Sequence, residues 1–507
     1  MNRLDDDQLR AVRDVAPLVG IVAGAGAGKT RVLVERVRWL LQHGRAPEGI
    51  VVVTFTVAAA DELRERLADL GTDASGVWAG TLHAWAYDRL RARAAEVGLT
   101  PDFTVYDSDD EKAIRAQCVA EVGRTSAEAL FTARCREANA VTYDSLLALA
   151  GKLPDVWRGV DHLLVDEAQD LSTDQWALLR RSTFLTDLGP GRSATIVGDW
   201  RQCVYQWRGV DPAIFRGMLD PGSGFTSYHE LRANYRSDPL IVQDANAVWG
   251  DRAPAMTATR PHGGPGAVYI DPSELVTWLR VMRRGQERFE APCIPWDRMA
   301  VLARTWRELY ALETQIKCAA GEEIPTAVGR PGRAWSSNEA QDLSRWLRLQ
   351  LNPADDNLAA LLVGRDTAPL LRREARAART TVWAAATARD WLPGPSPDGT
   401  STRLIAEKLL TGREDWHPPA ATLAELDLPS RRTLRGFRWW WQFGREPTRT
   451  PGAVQLSTVH GVKGLEFDVV FVMNPDQMDE LEVRYTALTR ARDRLFLVGS
   501  LDPEIPW

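Results

Sequence analysis

Residues 18–30 read Leu18-Val19-Gly20-Ile21-Val22-Ala23-Gly24-Ala25-Gly26-Ala27-Gly28-Lys29-Thr30, an apolar run that leads directly into a glycine-rich loop. The run at 18–23 is typical of a buried strand, and the apolar residues of 32–41 recur at helical spacing. Glycines let the backbone turn tightly and leave amide N–H groups facing an anion, while the N-terminus of the following helix contributes its dipole. Strand, glycine loop and helix in this order therefore predict a cradle for nucleotide phosphates.

A second stretch, DHLLVDE at residues 161–167, supplies the carboxylates that such a cradle needs. Alone, it would more often be a strand that runs into a polar turn. Paired with the loop, it predicts Asp166 near a Mg²⁺ ion and Glu167 where it can orient or deprotonate the attacking water. Lys29 is expected to reach the β- and γ-phosphates, and the Thr30 hydroxyl to ligate Mg²⁺. The two stretches together predict hydrolysis of ATP with Mg²⁺ as cofactor.

Composition narrows the class of protein. The 507 residues are too many for one hydrophobic core, and 45% hydrophobic with 26% charged residues is ordinary for a globular protein. No apolar run approaches the ~20 residues that span a bilayer, and the acidic N-terminus does not resemble a signal peptide. The five cysteines stand singly, without a C-x-x-C pair, which argues against a zinc or iron–sulfur site and for a reducing compartment. We therefore expect a cytoplasmic protein.

The charged residues do not decide whether the protein binds nucleic acid. A net charge of −6 neither favours nor excludes nucleic acid, because a basic groove can exist on an acidic protein. Only six of the 62 basic residues are lysines, and two of these, Lys29 and Lys463, lie in motifs. In a chain whose cations are nearly all arginines, a lysine indicates a position that specifically requires this side chain.

Strand and helix patterns alternate along the chain. Apolar strands at 18–23, 50–53 and 194–199 predict a doubly wound parallel sheet with ligands at the carboxyl ends of its strands. A second parallel sheet is predicted from the candidates at 266–270, 299–303, 454–458, 469–472 and 495–498. Residues 100–150 read as a short, mostly helical region, and 365–450, with proline clusters, as an inserted subdomain. The predicted fold class is α/β, with two parallel-sheet domains and small, mainly helical insertions.

Eight further stretches, taken in order, resemble the motifs of superfamily 1A helicases of the UvrD, Rep and PcrA type. They are LDDDQLRAV at 4–12, TFTVAAA at 54–60, GTLH at 80–83, VDEAQD at 165–170, GDWRQCVYQWRG at 198–209, LRANYRS at 231–237, QLSTVHGVKGLEF at 455–467 and YTALTRAR at 485–492. The resemblance covers most of the chain. It implies two RecA-like motor domains that couple ATP hydrolysis to 3′-to-5′ movement on single-stranded DNA.

By this resemblance, residues from both motor domains surround the nucleotide. Gln8 contacts the adenine base and Tyr235 stacks on it, and Gln202 senses the γ-phosphate. The nucleotide-binding residues are then Gln8, Ala23, Gly24, Ala25, Gly26, Ala27, Gly28, Lys29, Thr30, Arg31, Tyr235 and Glu466, the last on the ribose. The catalytic residues are Lys29, Asp166, Glu167, Gln202, Arg236 and Arg490, the two arginines acting as fingers, and the Mg²⁺ ligands are Thr30 and Asp166.

The same resemblance implies the DNA contacts. These are Phe55, His83, Trp207, Arg208, Thr458 and His460, with Gln169 coupling the ATP site to the DNA. Each residue alone has a plainer interpretation, since Phe55 or Trp207 could be a core aromatic and either arginine finger a solvated surface residue. The order in which all of them occur favours the family.

The physics of phosphoryl transfer agrees with a site shared by two domains. Charge accumulates on the transferring group, so cations from the second domain are needed to complete the site. Arginine suits this role because it is permanently charged and presents a planar set of donors. Domain closure then depends on the γ-phosphate, and repeated closure while aromatic side chains hold bases moves the protein along one strand.

We expect the first motor domain at residues 1–85 and 155–240, with a reduced insertion at 86–154. The second is expected at 241–364 and 451–507, with a reduced insertion at 365–450. The insertions are shorter than in larger family members, and the chain ends soon after Arg492, where a duplex-splitting hairpin follows in those members. No nuclease motif follows Arg492. These departures predict good movement on single strands and weak unwinding of duplexes by the protein alone.

Three functions stay open at this point. The first is a DNA translocase or helicase that separates strands or displaces proteins, acting as a monomer on tailed duplexes. The second is a DNA-stimulated ATPase subunit of a defence or regulatory complex of the Gabija type, with a protein partner that supplies a nuclease or stimulates unwinding. The third, a P-loop ATPase acting on proteins or small substrates, is opposed by Phe55 and Trp207. The arginines and tryptophans of 431–449 fit either a duplex or partner contact or a packing face.

Overall fold

The computed structural model describes residues 3–71, 74–181, 191–218, 226–285, 293–328, 338–364, 368–378, 380–388, 401–411 and 450–499, together with residues 392, 396, 426, 434 and 437. The chain divides into two compact units. The first unit comprises Met1–Gly80, Gly159–Pro331 and Pro447–Trp507, and the second comprises Thr81–Arg158 and Gly332–Glu446. Apart from Leu434 and Phe437, the predicted contact or packing face at 431–449 lies outside the described residues, as does the end of the chain after residue 499.

The helices and strands follow one another in the α/β alternation that the apolar runs predict. In chain order they are α1 (Asp6–Arg13), β1 (Leu18–Ala23), α2 (Lys29–Gln42), β2 (Ile50–Thr54), α3 (Val57–Ala68), β3 (Trp78–Thr81), α4 (Leu82–Ala92), β4 (Thr104–Tyr106), α5 (Ser108–Glu137), β5 (Ala140–Thr142), α6 (Tyr143–Ala150), β6 (His162–Val165), α7 (Thr173–Arg181), β7 (Ser193–Gly198), α8 (Pro212–Met218), β8 (Ser227–Leu231), β9 (Ala233–Asn234), α9 (Pro239–Trp249), β10 (Thr257–Ala258), β11 (Ala267–Ile270), α10 (Leu275–Arg284), β12 (Met299–Ala303), α11 (Trp306–Ala320), β13 (Thr326–Val328), α12 (Asn338–Leu349), α13 (Asp356–Val363), α14 (Ala368–Ala378), α15 (Val382–Thr387), α16 (Thr402–Thr411), β14 (Val454–Thr458), β15 (Phe467–Met473), α17 (Leu481–Leu488) and β16 (Ala491–Val498).

The first sheet of the first unit contains the phosphate-loop strand near its centre. Its order is β3-β2-β6-β7-β1-β8, and β1 runs parallel to β7 and β8, as β6 does to β2 and β7. Strands β1, β2, β6 and β7 are buried along their whole length. A parallel sheet is covered on both faces, which explains why these strands are nearly continuous apolar runs. The ends of β1 and β6 therefore meet at the same edge of the sheet.

The second sheet of the first unit has the order β11-β16-β15-β12-β14-β13, and its neighbouring strands are parallel. Strands β12 and β14 are fully buried. The segment after β7 packs against this sheet, because Val204 and Tyr205 share a buried cluster with Val459 and Val462. The prediction of two parallel sheets in an α/β fold is confirmed, and their arrangement is that of RecA-like domains.

The second unit is mainly helical and has its own core. Residues of α5 such as Ile114 and Phe131 pack with Leu343 and Trp346 of α12. The hydroxyl of Tyr106 donates to the Asp355 carboxylate at 2.7 Å. Helices α12 and α13 therefore belong to this core, although the boundaries expected from the sequence placed 241–364 with the second sheet. Among the described residues, no helix has both the length and the apolar character needed to cross a membrane.

Candidate nucleotide and nucleic-acid site

The loop between β1 and α2 is bent into a cradle that only glycine can form at two positions. Gly26 and Gly28 have φ of +70° and +79°, in the left-handed region. A Cβ on Gly26 would also lie 2.7 Å from the Cβ of Arg236, and one on Gly28 would lie 3.0 Å from Nε2 of Gln8. Helix α2 begins at Lys29, so its first turn directs N–H donors toward an anion in the loop.

The carboxylates follow β6 at the same sheet edge. The Asp166 N–H donates to the Val53 carbonyl at 2.7 Å and continues the pairing of β6 with β2. Glu167 has φ of +49°, a conformation that costs free energy for a residue with a side chain and is often found at functional sites. Its Oε1 lies 3.5 Å from Nζ of Lys29, and its Oε2 accepts a hydrogen bond from Gln169 at 2.6 Å. The turn thus aims the Glu167 carboxylate at the phosphate loop.

The two adjacent carboxylates have opposite electrostatic environments. Burial and the charge of Glu167 raise the pKa of Asp166 to about 7. Burial also acts to raise the pKa of Glu167, but the charges of Lys29 and Lys463 outweigh it and lower that pKa to about 2. The nearby cations thus favour the charged form of Glu167, whereas burial disfavours the charged form of Asp166.

These residues fit a nucleotide-bound Mg²⁺. No group of three or more His, Cys, Asp or Glu side chains able to hold a metal occurs in the described part of the chain. Mg²⁺ does not need one, since it takes one or two protein oxygens and completes its shell with water and substrate phosphates. Asp166 and the hydroxyl of Thr30, the second residue of α2, offer oxygens of this kind, and a cation would favour the charged form of Asp166 that burial and Glu167 disfavour.

Two arginines reach the same region: Arg236 follows β9, and Arg490 directly precedes β16 of the second sheet. Arg236 donates to the Glu466 carboxylate and to the Thr489 carbonyl, both at 3.0 Å, and its Cβ lies against Gly26. Arg490 is 2% exposed and its Nη2 donates to Oε1 of Gln202 at 2.9 Å. Burial and the nearby charge of Arg236 lower the pKa of Arg490 to about 9, which leaves the guanidinium charged at neutral pH. The structure therefore brings Arg236, Arg490 and Gln202 together.

The residues expected around the base also lie against the phosphate loop. Nε2 of buried Gln8 donates to the Ala27 carbonyl at 3.0 Å, while its Oε1 accepts from the Asp5 N–H at 3.2 Å. The Tyr235 N–H donates to the Gly26 carbonyl at 3.0 Å, and its 41% exposed side chain reaches the Asp5 carboxylate. The charge of Arg31 acts on the Tyr235 hydroxyl, so the two side chains are near one another.

Gln8→Ala should weaken ATP binding by up to about tenfold, because it removes the hydrogen bond that Gln8 donates to Ala27 of the phosphate loop, worth roughly 0.5–1.5 kcal/mol. Titration of a fluorescent ATP analogue measures the dissociation constant. Gln42→Ala, at the exposed end of α2, is the matched control and should bind like the unaltered protein. An unchanged dissociation constant for Gln8→Ala would show that Gln8 does not support the nucleotide site.

Four of the six DNA-contact candidates, Phe55, Trp207, Arg208 and His460, form a cluster with Tyr205 in the first unit. The rings of Phe55 and Tyr205 are 5.1 Å apart, and the Tyr205 hydroxyl donates to the His460 carbonyl at 3.1 Å. Trp207 is 67% exposed, with the His460 ring 6.4 Å away and the Arg208 guanidinium 4.8 Å from its ring. Trp207 is thus an exposed ring beside a cation, an arrangement that single-stranded nucleic acid binders use, whereas Tyr205 is buried beneath it and Phe55 is partly buried.

Thr458 and His83 lie in different surroundings. The Thr458 hydroxyl is nearly buried and accepts from the Gly461 N–H at 3.2 Å, so it supports the loop that carries His460. His83 belongs to the second unit, where its ring stacks on Tyr143 at 4.0 Å. Burial lowers the pKa of His83 to about 3, so the ring is neutral. Any contact of these residues with DNA stays a prediction.

Two residues in this site had no assigned role from the sequence. Tyr205 lies two positions before Trp207, and the spacing of the two aromatics was the signal that could have indicated it. The hydroxyl of Tyr485, in α17, accepts from the Ala25 N–H at 3.4 Å and lies 3.4 Å from Oδ2 of Asp199. It therefore joins the phosphate loop to the segment that carries Gln202.

A phosphate loop, paired carboxylates and two arginines, one of them beside the second parallel sheet, define a P-loop nucleoside triphosphate hydrolase with a divided site. The family model of the UvrD/Rep helicase N-terminal domain matches residues 4–139 and 127–220, and that of the UvrD-like helicase C-terminal domain matches residues 453–498. The chain belongs to the UvrD/Rep family of superfamily 1 helicases.

Curated relatives extend this likeness over nearly the whole chain. DNA helicase II of Salmonella typhimurium is 27% identical over 98% of this chain and 84% of its own, and that of Haemophilus influenzae is 29% identical with the same coverage. The helicase Rep of Escherichia coli is 25% identical over 97% of this chain and 90% of its own. These alignments run over 625 to 631 positions, more than the 507 residues here, so the relatives carry insertions that this chain lacks.

Proposed function

We propose that this protein is an ATP-dependent motor that moves 3′ to 5′ along single-stranded DNA and couples hydrolysis to strand separation or protein displacement. The observation that carries the proposal is the segment 198–208, which holds both Gln202, bonded to Arg490, and the exposed Trp207. A change at the nucleotide is thereby linked to a ring that can hold a base. The relatives named DNA helicase II and Rep support DNA as the track.

In this proposal, each residue of the nucleotide site has a role in ATP hydrolysis. Lys29 and the loop amides bind the β- and γ-phosphates, and Glu167, ionised and 3.5 Å from Lys29, orients and deprotonates the attacking water. Thr30 and Asp166 would hold a Mg²⁺ ion, which would supply positive charge to the phosphate oxygens. Arg236 and Arg490 stabilise the charge that develops on the γ-phosphoryl group, so that release of phosphate removes the link between the two sheets.

The test is ATP-dependent translocation on DNA and RNA strands whose reporter lies at either the 3′ or the 5′ end. We expect displacement of the reporter at the 5′ end of DNA only, since movement proceeds from 3′ to 5′. Lys29→Ala, which removes the phosphate-binding cation, should show no movement. Movement toward the 3′ end, or on RNA as fast as on DNA, would contradict the proposal.

Trp207→Ala should weaken binding of single-stranded DNA by about tenfold to a hundredfold, because stacking on one aromatic ring is worth roughly 1–3 kcal/mol per base. Fluorescence anisotropy of a labelled oligonucleotide gives the dissociation constant. Trp207→Phe should retain most of the affinity, and Tyr310→Ala, an exposed aromatic on α11, serves as the control. Equal affinities for Trp207→Ala and the unaltered protein would remove Trp207 from the DNA site.

A second candidate function is favoured by the insertions that the relatives have and this chain lacks. In it, the protein is a DNA-stimulated ATPase subunit of a defence or regulatory complex that unwinds poorly by itself. Strand displacement on a 3′-tailed duplex separates the two functions. Vigorous unwinding by the protein alone supports the helicase, whereas translocation without unwinding supports the subunit.

A further inference from the structure

Helix α1, which carries Gln8, is anchored at its other end by a small group of charged residues. The helix has only eight residues, and apart from Gln8 it buries only Ala11 and Val12. Because isolated helices this short are marginal in water, the position of α1 depends on what anchors it. At its first turn the anchor is the hydrogen bond from Gln8 to the phosphate loop. The anchors at its last turn come from α2 and from β8.

Arg36, on α2, is the first of these anchors. It is 1% exposed, and its Nη1 donates to the carbonyls of Ala11, Val12 and Asp14 at 3.2, 3.1 and 2.9 Å. The last carbonyls of a helix have no partner within the helix, so a buried guanidinium is well suited to bind them. Because α2 begins at the phosphate loop, this contact joins the end of α1 to the helix that supports the loop.

Asp14, which directly follows α1, is held by the edge strand β8. Its Oδ2 lies 2.6 Å from Nε2 of His229 and also accepts a hydrogen bond from the Ser227 hydroxyl. The side chains of His229 and Asp14 are 17% and 13% exposed. Burial acts to raise the pKa of Asp14, but the hydrogen bonds from Ser227 and Ala16 and the charge of His229 outweigh it and lower that pKa. Asp14 is therefore a carboxylate at neutral pH, able to pair with a charged imidazole.

The surroundings of this pair make the imidazole its titrating member. The residues of β1 in register with Ser227 and His229 are Val19 and Ile21, which are buried and apolar. Burial lowers the pKa of Arg36 to about 10, partly offset by the charge of Asp14, so this guanidinium stays charged at neutral pH. Of these three charged groups, the histidine is the one that changes its charge between about pH 5 and 8.

Strand β8 leads directly to the segment that carries Tyr235, whose N–H donates to the Gly26 carbonyl at 3.0 Å. Helix α1 carries Gln8, the other residue expected at the base. The contact of His229 with Asp14 therefore joins the two segments that supply the expected base contacts. A firmer contact holds the two segments more firmly against each other, and this lowers the cost of ordering them when a nucleotide binds.

We propose that His229 is a positioning residue for nucleotide binding, and that its ion pair with Asp14 makes ATP bind more tightly when the imidazole is charged. The inference rests on the proposed function, which makes ATP the nucleotide of this site. With the proton in place, a charged hydrogen bond holds α1 to β8. When the proton is lost, only a neutral hydrogen bond remains, and Gln8 and Tyr235 are held less firmly. ATP affinity therefore falls as the pH rises through the titration of the imidazole.

The experiment measures the dissociation constant of a fluorescent ATP analogue, with Mg²⁺, between about pH 6 and pH 8.5, the range in which histidine loses its charge. His229→Gln keeps a donor for Asp14 but carries no charge. At the acid end, the unaltered protein should bind the analogue about threefold to tenfold more tightly than this variant, the difference between a charged and a neutral hydrogen bond. At the alkaline end the two should bind alike. The comparison at each pH cancels the titration of the nucleotide itself.

Two further variants complete the set. Asp14→Asn removes the carboxylate and should lose the same pH dependence as His229→Gln. In both variants kcat at saturating ATP should change little, because the catalytic groups are not altered. His43→Gln, at an exposed histidine just after α2, is the matched control and should keep the pH profile of the unaltered protein.

Three results would overturn the inference. In the first, the dissociation constants of His229→Gln and of the unaltered protein keep a constant ratio over the whole pH range. In the second, both variants lose thermal stability but bind the analogue normally at every pH, so that the pair is only structural. Both of these leave the proposed function intact. In the third, the unaltered protein binds the analogue at no pH, which removes the proposed function and this inference together.

Discussion

Arg490→Ala should lower the rate of ATP hydrolysis by about a thousandfold, the lower end of the effect that an arginine finger has in nucleotide hydrolases. Arg490 directly precedes β16 of the second sheet, and its side chain is 2% exposed. Its Nη2 donates to Oε1 of Gln202 at 2.9 Å. Without it, the charge that develops on the γ-phosphoryl group is left without its planar donor. The phosphate loop is not altered, so ATP affinity should fall by no more than about tenfold. Steady-state hydrolysis and titration of a fluorescent ATP analogue measure the two quantities separately.

Two further variants separate this catalytic effect from damage to the fold. Arg490→Lys keeps the charge but loses the fork of donors, so it should recover stability while remaining strongly impaired in kcat. Arg492→Ala, two residues away and half-exposed beside Asp468, removes an arginine outside the site and should leave kcat within about twofold. An Arg490→Ala variant that is folded and hydrolyses ATP at more than a tenth of the normal rate would refute the finger role.

Most of the strands that the sequence predicted are buried along their length, although β11 (Ala267–Ile270), which it also predicted, is buried only at its last residue. Strands β1, β2 and β12 are continuous apolar runs because both faces of a parallel sheet are covered. The edge strand β8, Ser227–Leu231, has no such run, since most of its side chains are only partly buried, and it was not predicted. Strand β13, Thr326–Val328, is too short to carry a pattern. Local patterns thus identify the centre of a sheet better than its edges.

Local sequence patterns could not predict which distant parts of the chain are in contact. Nothing in residues 338–363 indicates that they pack with α5, because the pairing of Tyr106 with Asp355 depends on the three-dimensional path of the chain. The phosphate loop and the carboxylates are local motifs with chemical meaning, and the sequence could identify them. The contact of Lys463 with Asp170, nearly three hundred residues apart, has no local signal, although the rarity of lysine indicated that this residue had a purpose.

Glu167→Gln should slow ATP hydrolysis by about a hundredfold to ten-thousandfold while ATP remains bound, because the change removes general-base catalysis and little else. An amide has the size of a carboxylate, and its oxygen can still accept the hydrogen bond from Gln169. The backbone at Glu167, with its φ of +49°, is set by the turn after β6 and does not depend on the charge. What disappears is the basic oxygen that lies 3.5 Å from Lys29. Single-turnover hydrolysis of labelled ATP gives the rate of the chemical step.

The same variant should hold the protein on DNA, since the closed state is expected to persist until the γ-phosphate is released. With ATP and Mg²⁺, Glu167→Gln should therefore dissociate from a single-stranded oligonucleotide more slowly than the unaltered protein. Glu65→Gln, exposed on α3, controls for the loss of a carboxylate and should behave normally. Asp166→Asn differs from both, because it removes a Mg²⁺ ligand and should weaken nucleotide binding itself. Hydrolysis by Glu167→Gln within tenfold of the normal rate would mean that another group activates the water, and Asp170, on the same turn and with its pKa raised to about 7, would then be the first to replace.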